Sequence, residues 1–267
     1  MKRLNWTRTW LLCSIIVGVS LISQVGPGAP SVAWAADEAG STFSGHVVLD
    51  GEIPKLEPAT TDADPKAQDL KQCGIKSVPN EKLVVDPKSK GIANVFIYLK
   101  KAPANMPAAL KKSKSDKVIF DQKGCQFLPH ALLVRNDQTV EVLSDDPVGH
   151  NTHTYPVRNN PFNSAIKAKE RTGVPVTTKV VESLPLQVKC DIHPWMTAWW
   201  LVLDHPYAAV TDAEGKFSIS DLPPGNHEFV VWQESVGYIE RKLSVKVEAK
   251  KNPAAVTIKA PVAKFKL

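Results

Sequence analysis

Turn residues cut the chain into short apolar and β-branched segments, a pattern that leaves little room for anything but sheet. Phe43 to Leu49, Leu83 to Val85, Val95 to Leu99, Val118 to Phe120, Leu132 to Val134 and Thr139 to Leu143 are each of strand length, bounded by Gly, Pro, Asn or Asp. A second set follows at Thr177 to Val181, Leu186 to Cys190, Thr197 to Leu203, Gly215 to Ile219, His227 to Gln233 and Lys242 to Val247. Helical pattern is confined to Asp64 to Gln72 and a turn around Met106 to Lys112, in keeping with a chain that carries 21 prolines. Evenly spaced short strands describe sandwiches or barrels, so the expected class is all-β.

The N-terminal segment reads differently. Lys2, Arg3 and Arg8 precede an apolar run from Trp10 to Ile22 and a small-residue stretch ending Ala33-Trp34-Ala35-Ala36. Positive head, short apolar middle and Ala-x-Ala exit describe a secretory signal peptide over residues 1–36, with an uncleaved anchor as the alternative. The mature chain then has no segment long and apolar enough to span a bilayer, and is expected to be periplasmic or secreted. Its formal charge falls from +6 to +3, too mild to point to nucleic acid. Surface lysines such as Lys111, Lys112 and Lys114 account for the excess.

Three cysteines stay in the mature chain. Cys73 precedes Gly74 and Cys125 follows Gly124, each in a loop-like setting, and they make a natural disulfide pair in an oxidising compartment. That leaves Cys190 free beside His193. The segment Cys190-Asp191-Ile192-His193-Pro194-Trp195-Met196 places a thiolate, an imidazole and a thioether within seven residues, a donor set that suits copper in both oxidation states. A second imidazole is available in Ser144-Asp145-Asp146-Pro147-Val148-Gly149-His150-Asn151-Thr152-His153. His150 is the favoured ligand and His153 the alternative, since residues three apart on an extended segment face opposite sides. The candidate metal ligands are therefore His150, Cys190, His193 and Met196, and the expected metal is copper. Asp145 and Asp146, adjacent in a turn, are read as capping and solvated residues. His130 is read as a surface or outer-shell residue, and His46, His205 and His227 have no partner at ligand spacing. Trp195, Trp199 and Trp200 are read as core or sandwich-edge residues, with Trp195 also a candidate for an apolar contact patch.

These motifs resemble the cupredoxin family, to which plastocyanin, pseudoazurin and the copper domain of cytochrome oxidase subunit II belong. Gly149-His150-Asn151 is similar to the step that supplies the first ligand in plastocyanins, and Phe127 to Val134 followed by Thr139-Val140 to the strand pair before it. The resemblance covers about residues 40–203. It implies a Greek-key sandwich with His150 and His193 as imidazole ligands, Cys190 as thiolate and Met196 as axial group. Two residues separate His193 from Met196, fewer than in plastocyanins, and the second cysteine of the oxidase loop is absent. After Asp204-His205-Pro206 the sequence resembles the small transthyretin-like regulatory modules found behind carboxypeptidases. The implied division is a copper domain over 37–203, a carboxypeptidase-regulatory-like β module over 204–250, and a tail over 251–267.

No catalytic motif competes: there is no Gly-x-Ser-x-Gly elbow, no Gly-rich phosphate loop and no His-Glu-x-x-His helix. The functional expectation is a non-enzymatic electron carrier with a redox partner protein. A copper carrier without such a partner, or a metal-free carbohydrate-binding or adhesion sandwich, are the alternatives.

Overall fold

The computed structural model describes residues 40–267, and the expected signal peptide lies outside them. Strands dominate. The described helical elements are the four-residue α-helix Asp69–Gln72 and the 3-10 turns Ala108–Leu110 and Val262–Lys264.

Two sheets form the sandwich that carries the site. One has the strand order Asn163–Ile166, His150–Tyr155, Leu186–Lys189, Thr197–Leu203, Ala131–Arg135; the other runs Val174–Thr177, Thr139–Val142, Lys117–Gln122, Phe127–Leu128. Their inner faces meet in one apolar cluster that includes Phe120, Val140, Val142, Val188, Trp200 and Val202. Trp200 is fully buried, its ring edge-on to Phe120 at 4.9 Å. Cys190 and Met196 belong to the same cluster, so the candidate ligand loop is rooted in the sandwich core.

A second pair of sheets lies behind. Lys216–Leu222, Ser41–Asp50 and Val256–Pro261 form one; Ala208–Val210, Phe96–Leu99, Gly225–Gln233 and Gly237–Val247 form the other. The opening strand Ser41–Asp50 thus pairs with the C-terminal strands, antiparallel to Lys216–Leu222 and parallel to Val256–Pro261. Alternation along Phe96–Leu99 explains how the two pairs join. Ile97 and Leu99 enter the rear core with Phe43 and Phe229, while Phe96 and Tyr98 face Leu201 and Leu203 of the front sandwich. All four residues of that strand are buried, because both of its faces are covered.

Four local expectations are corrected. The strand expected over Thr177 to Val181 lies instead at Val174–Thr177, where it pairs with Thr139–Val142. Leu83 to Val85 is not a strand and contributes only an isolated bridge from Val85 to Ile92. The helical segment Asp64 to Gln72 shrinks to Asp69–Gln72, because Thr60–Thr61 pairs with Ser77–Val78 and the chain between them spends its first residues on turns. His150–Tyr155, treated as an extended segment but not among the expected strands, is a strand between two neighbours.

Candidate metal centre

His150 opens the strand His150–Tyr155, and Cys190 immediately follows the strand Leu186–Lys189 that pairs with it. Met196 immediately precedes Thr197–Leu203, the next strand in the sheet. The ligand loop is therefore a hairpin connection. The Cys190 amide donates to the Met196 carbonyl at 3.1 Å, and the Met196 amide to the His193 carbonyl at 2.9 Å. Asn151 ties this hairpin to the neighbouring strand: its Oδ1 accepts from the Asp191 amide at 2.6 Å, and its Nδ2 donates to Asp191 at 2.9 Å.

These constraints bring His150, Cys190 and His193 together, with one donor atom from each lying within 4.8 Å of the others. His150 Nδ1 is 2.9 Å from His193 Nδ1, and Cys190 Sγ is 3.8 Å from that same nitrogen. All are buried: His150 and Met196 are 1% exposed, Cys190 and His193 2%. Backbone amides of Asn151 and His193 point at Sγ from 3.5 and 3.4 Å.

The far side of each ring is held by a carboxylate. His150 Nε2 donates to Asp146 Oδ2 at 2.9 Å, and His193 Nε2 donates to Asp69 Oδ2, also at 2.9 Å. Asp146 in turn accepts the amides of Gly124 at 2.6 Å and Cys125 at 2.9 Å. With the outer nitrogens on carboxylates, the two Nδ1 atoms face each other and the sulfur, so that in the metal-free site a proton held among them is shared with Cys190 Sγ, and a metal ion can take its place. Lone pairs facing at 2.9 Å repel unless a cation, proton or metal, lies among them. The donor set of thiol and two imidazoles, with the buried Met196 at the end of the same hairpin, fits copper.

The charges follow this arrangement. Burial pushes the Cys190 thiol up, but hydrogen bonds from both histidines and two amides outweigh it and hold the thiol down at about 6. Burial also disfavours a charged His150, yet Asp146 and Cys190 raise it to about 8. His193 is likewise raised: desolvation opposes its charge, while Cys190 and Asp69 favour it. Desolvation raises Asp146, but His150 and the two amides bring it below the ordinary carboxylate value.

His153 points elsewhere. Its Nδ1 meets Asp191 at 3.0 Å and its ring stacks on Tyr155 at 4.2 Å. Cys73 and Cys125 form a disulfide, leaving Cys190 as a free, buried cysteine. His46, His205 and His227 each meet a backbone carbonyl, of Glu214, Leu99 and Pro223 respectively.

No family model matches the chain, and no curated protein matches it. Similar solved structures include a copper-containing enzyme, amicyanin and a cupredoxin. A copper-containing nitrite reductase from Thermus scotoductus SA-01 is 21% identical over 33% of this chain and 22% of its own, with a TM-score of 0.29. A reduced amicyanin variant is 16% identical over 34% of this chain and 87% of its own, with a TM-score of 0.30. A purple cupredoxin from Nitrosopumilus maritimus is 19% identical over 33% of this chain and 100% of its own, with a TM-score of 0.27. At these TM-scores the likeness does not bear on what the site does; the site stands on its own distances.

Sequence reasoning misses two participants, Asp146 and Asp69, and misplaces one residue away from the site, His130. Asp146, expected to be a solvated turn residue, is buried against His150. Asp69 is more than a hundred residues from its partner His193, and no spacing rule connects them. His130 is not at the surface: it is buried, donates through Nε2 to Glu234, and has Nδ1 3.4 Å from Glu81. The one signal available was Asp146 at four residues before His150, a spacing shared with many unrelated turns.

Proposed function

We propose that this chain is an exported mononuclear copper protein that carries electrons through a site formed by His150, Cys190, His193 and Met196. The observation that carries the reading is the convergence of two imidazole Nδ1 atoms and the Cys190 sulfur, with both outer nitrogens fixed by carboxylates. Copper bound there supplies a one-electron couple. The protein's part is to keep the donors in place: the hairpin fixes Cys190 and Met196, Asp146 and Asp69 fix the ring orientations, and two amides stabilise the thiolate. Near-complete burial of all four residues favours electron passage over substrate access.

The face above the ligand loop suits contact with a redox partner protein: Asp191 and Pro194 are exposed and Ile192 is 55% exposed. The disulfide is in keeping with an oxidising, periplasmic or extracellular location. In this reading residues 37–203 supply the copper site, and the transthyretin-like module expected over 204–250 buttresses it together with Ser41–Asp50, Phe96–Leu99 and Val256–Pro261, which share its sheets.

The test is copper loading of the mature protein, with metal analysis and a visible spectrum. One copper per chain with an intense thiolate-to-copper band is expected, and Cys190→Ser should remove the band. A colourless wild-type protein that takes up no copper refutes the proposal. A copper carrier is the second reading, favoured by the sulfur donors, which suit the cuprous ion; it predicts tight cuprous binding without a reversible potential, which voltammetry separates.

A further inference from the structure

The geometry points to Asp69 as a positioning residue that holds His193 from outside the sandwich and biases the site toward the more highly charged form of its metal. This rests on the copper reading above and deepens it.

Asp69 is the first residue of a four-residue helix with no side-chain hydrogen bond at its N-cap residue, Gln68. A helix that short has no stability of its own, because one turn does not repay its nucleation cost. Two contacts hold it in place. Leu70 is fully buried in the front core, and Cys73, just beyond the helix, is bonded to Cys125. Cys125 Sγ also lies 3.8 Å from the Asp69 carbonyl.

The loop around Cys125 reaches the site by two further routes. Its amide and that of Gly124 bind Asp146, which holds His150, and its carbonyl accepts from Trp195 Nε1 at 3.1 Å. The Trp195 ring packs on His193 at 5.1 Å. One cross-linked pair of segments thus braces both imidazoles from behind. Asp69 reaches His193 Nε2 only because that segment is fixed there.

The chemical consequence follows from charge. A carboxylate on the outer N–H of a ligating imidazole fixes the tautomer and makes the ring a stronger donor. Its negative charge, lying near the donor atoms, favours a dication over a monocation. Asp69 should therefore strengthen cupric binding more than cuprous binding and lower the reduction potential.

The experiment compares the mature wild-type protein with Asp69→Ala, Asp69→Asn and, as a control on the same helix, the exposed Lys71→Ala. Thermal melting confirms that each folds. Cuprous affinity is measured by competition with a chromophoric chelator, and the potential by voltammetry; cupric affinity follows from the two. Asp69→Ala should weaken cupric binding roughly 10–100-fold and cuprous binding less. Each tenfold difference between the two raises the potential by about 59 mV. Asp69→Asn, which keeps an acceptor but loses the charge, should fall between Asp69→Ala and the wild type, and Lys71→Ala should match the wild type. A copper-independent readout is the His193 Nε2–H proton in the metal-free, 15N-labelled protein, expected to be protected from exchange in the wild type and lost in Asp69→Ala. Wild-type affinities and potential retained in Asp69→Ala overturn the inference, as does an unprotected Nε2–H in the wild type. A wild-type protein that keeps the protected proton but takes up no copper overturns the copper reading while leaving the positioning contact standing.

Discussion

His150 and His193 lie 43 residues apart in the chain, yet their Nδ1 atoms approach to 2.9 Å while each gives its Nε2 to a different aspartate. That relationship defines what the site can accept, since two lone pairs aimed at one point need a cation to share them. It also fixes which histidine belongs to the centre.

His150→Ala should therefore abolish stoichiometric copper uptake, whereas His153→Ala should leave it intact. His153 is committed to Asp191 and Tyr155 on the other side of its strand. Metal analysis after gel filtration reads the contrast directly. Equal loss in the two variants would show that the strand register differs from the one described.

Replacing both Cys73 and Cys125 by Ser should lower stability and loosen the centre together. The bridge spans 52 residues, and loop-closure entropy alone assigns it about 4 kcal/mol. Chemical denaturation of the oxidised wild type against the double variant measures the first effect, and copper competition the second. Unchanged copper affinity in a folded double variant would mean that Asp69 and Asp146 are held in place without the bridge.

His130 should make the protein more stable in neutral than in alkaline solution. Burial works against its charge, but Glu234 and Glu81 overcome this and raise it to about 9. The folded value lies above the ordinary value of 6.5, so the stabilisation is complete below pH 6.5 and is lost as pH rises through about 9. Trp199 Nε1 holds the other oxygen of Glu234 at 2.9 Å, fixing the acceptor in place. The shift corresponds to about 3 kcal/mol at most. Denaturation midpoints of wild type and His130→Gln should converge between pH 7 and 10, and parallel curves would contradict the assignment.

Trp195→Phe keeps a ring against His193 but removes the N–H that reaches the Cys125 carbonyl. The cost should be about 1 kcal/mol, the net worth of one hydrogen bond. Because that bond joins the ligand loop to the braced segment, faster copper release to a chelator should accompany it. A copper release rate equal to that of the wild type would place the strut outside the site's support.

Much of the centre was legible in local sequence. Cys190, His193 and Met196 share one hairpin connection of seven residues, and alternation lets only one of His150 and His153 face it; that it is His150 was decided by the fold. The pairing of Cys73 with Cys125 could be read from their glycine-flanked, loop-like settings, with Cys190 placed instead beside His193. All-β architecture was set by segment length and punctuation, which are properties of consecutive residues. Tertiary structure alone decided that Ser41–Asp50 joins the C-terminal strands, that Phe96–Leu99 is buried on both faces, and that Asp69 and Asp146 stand behind the imidazoles. Those outcomes depend on which faces and loops meet after the chain closes, and an aspartate in a turn carries no local mark of the ring it will hold.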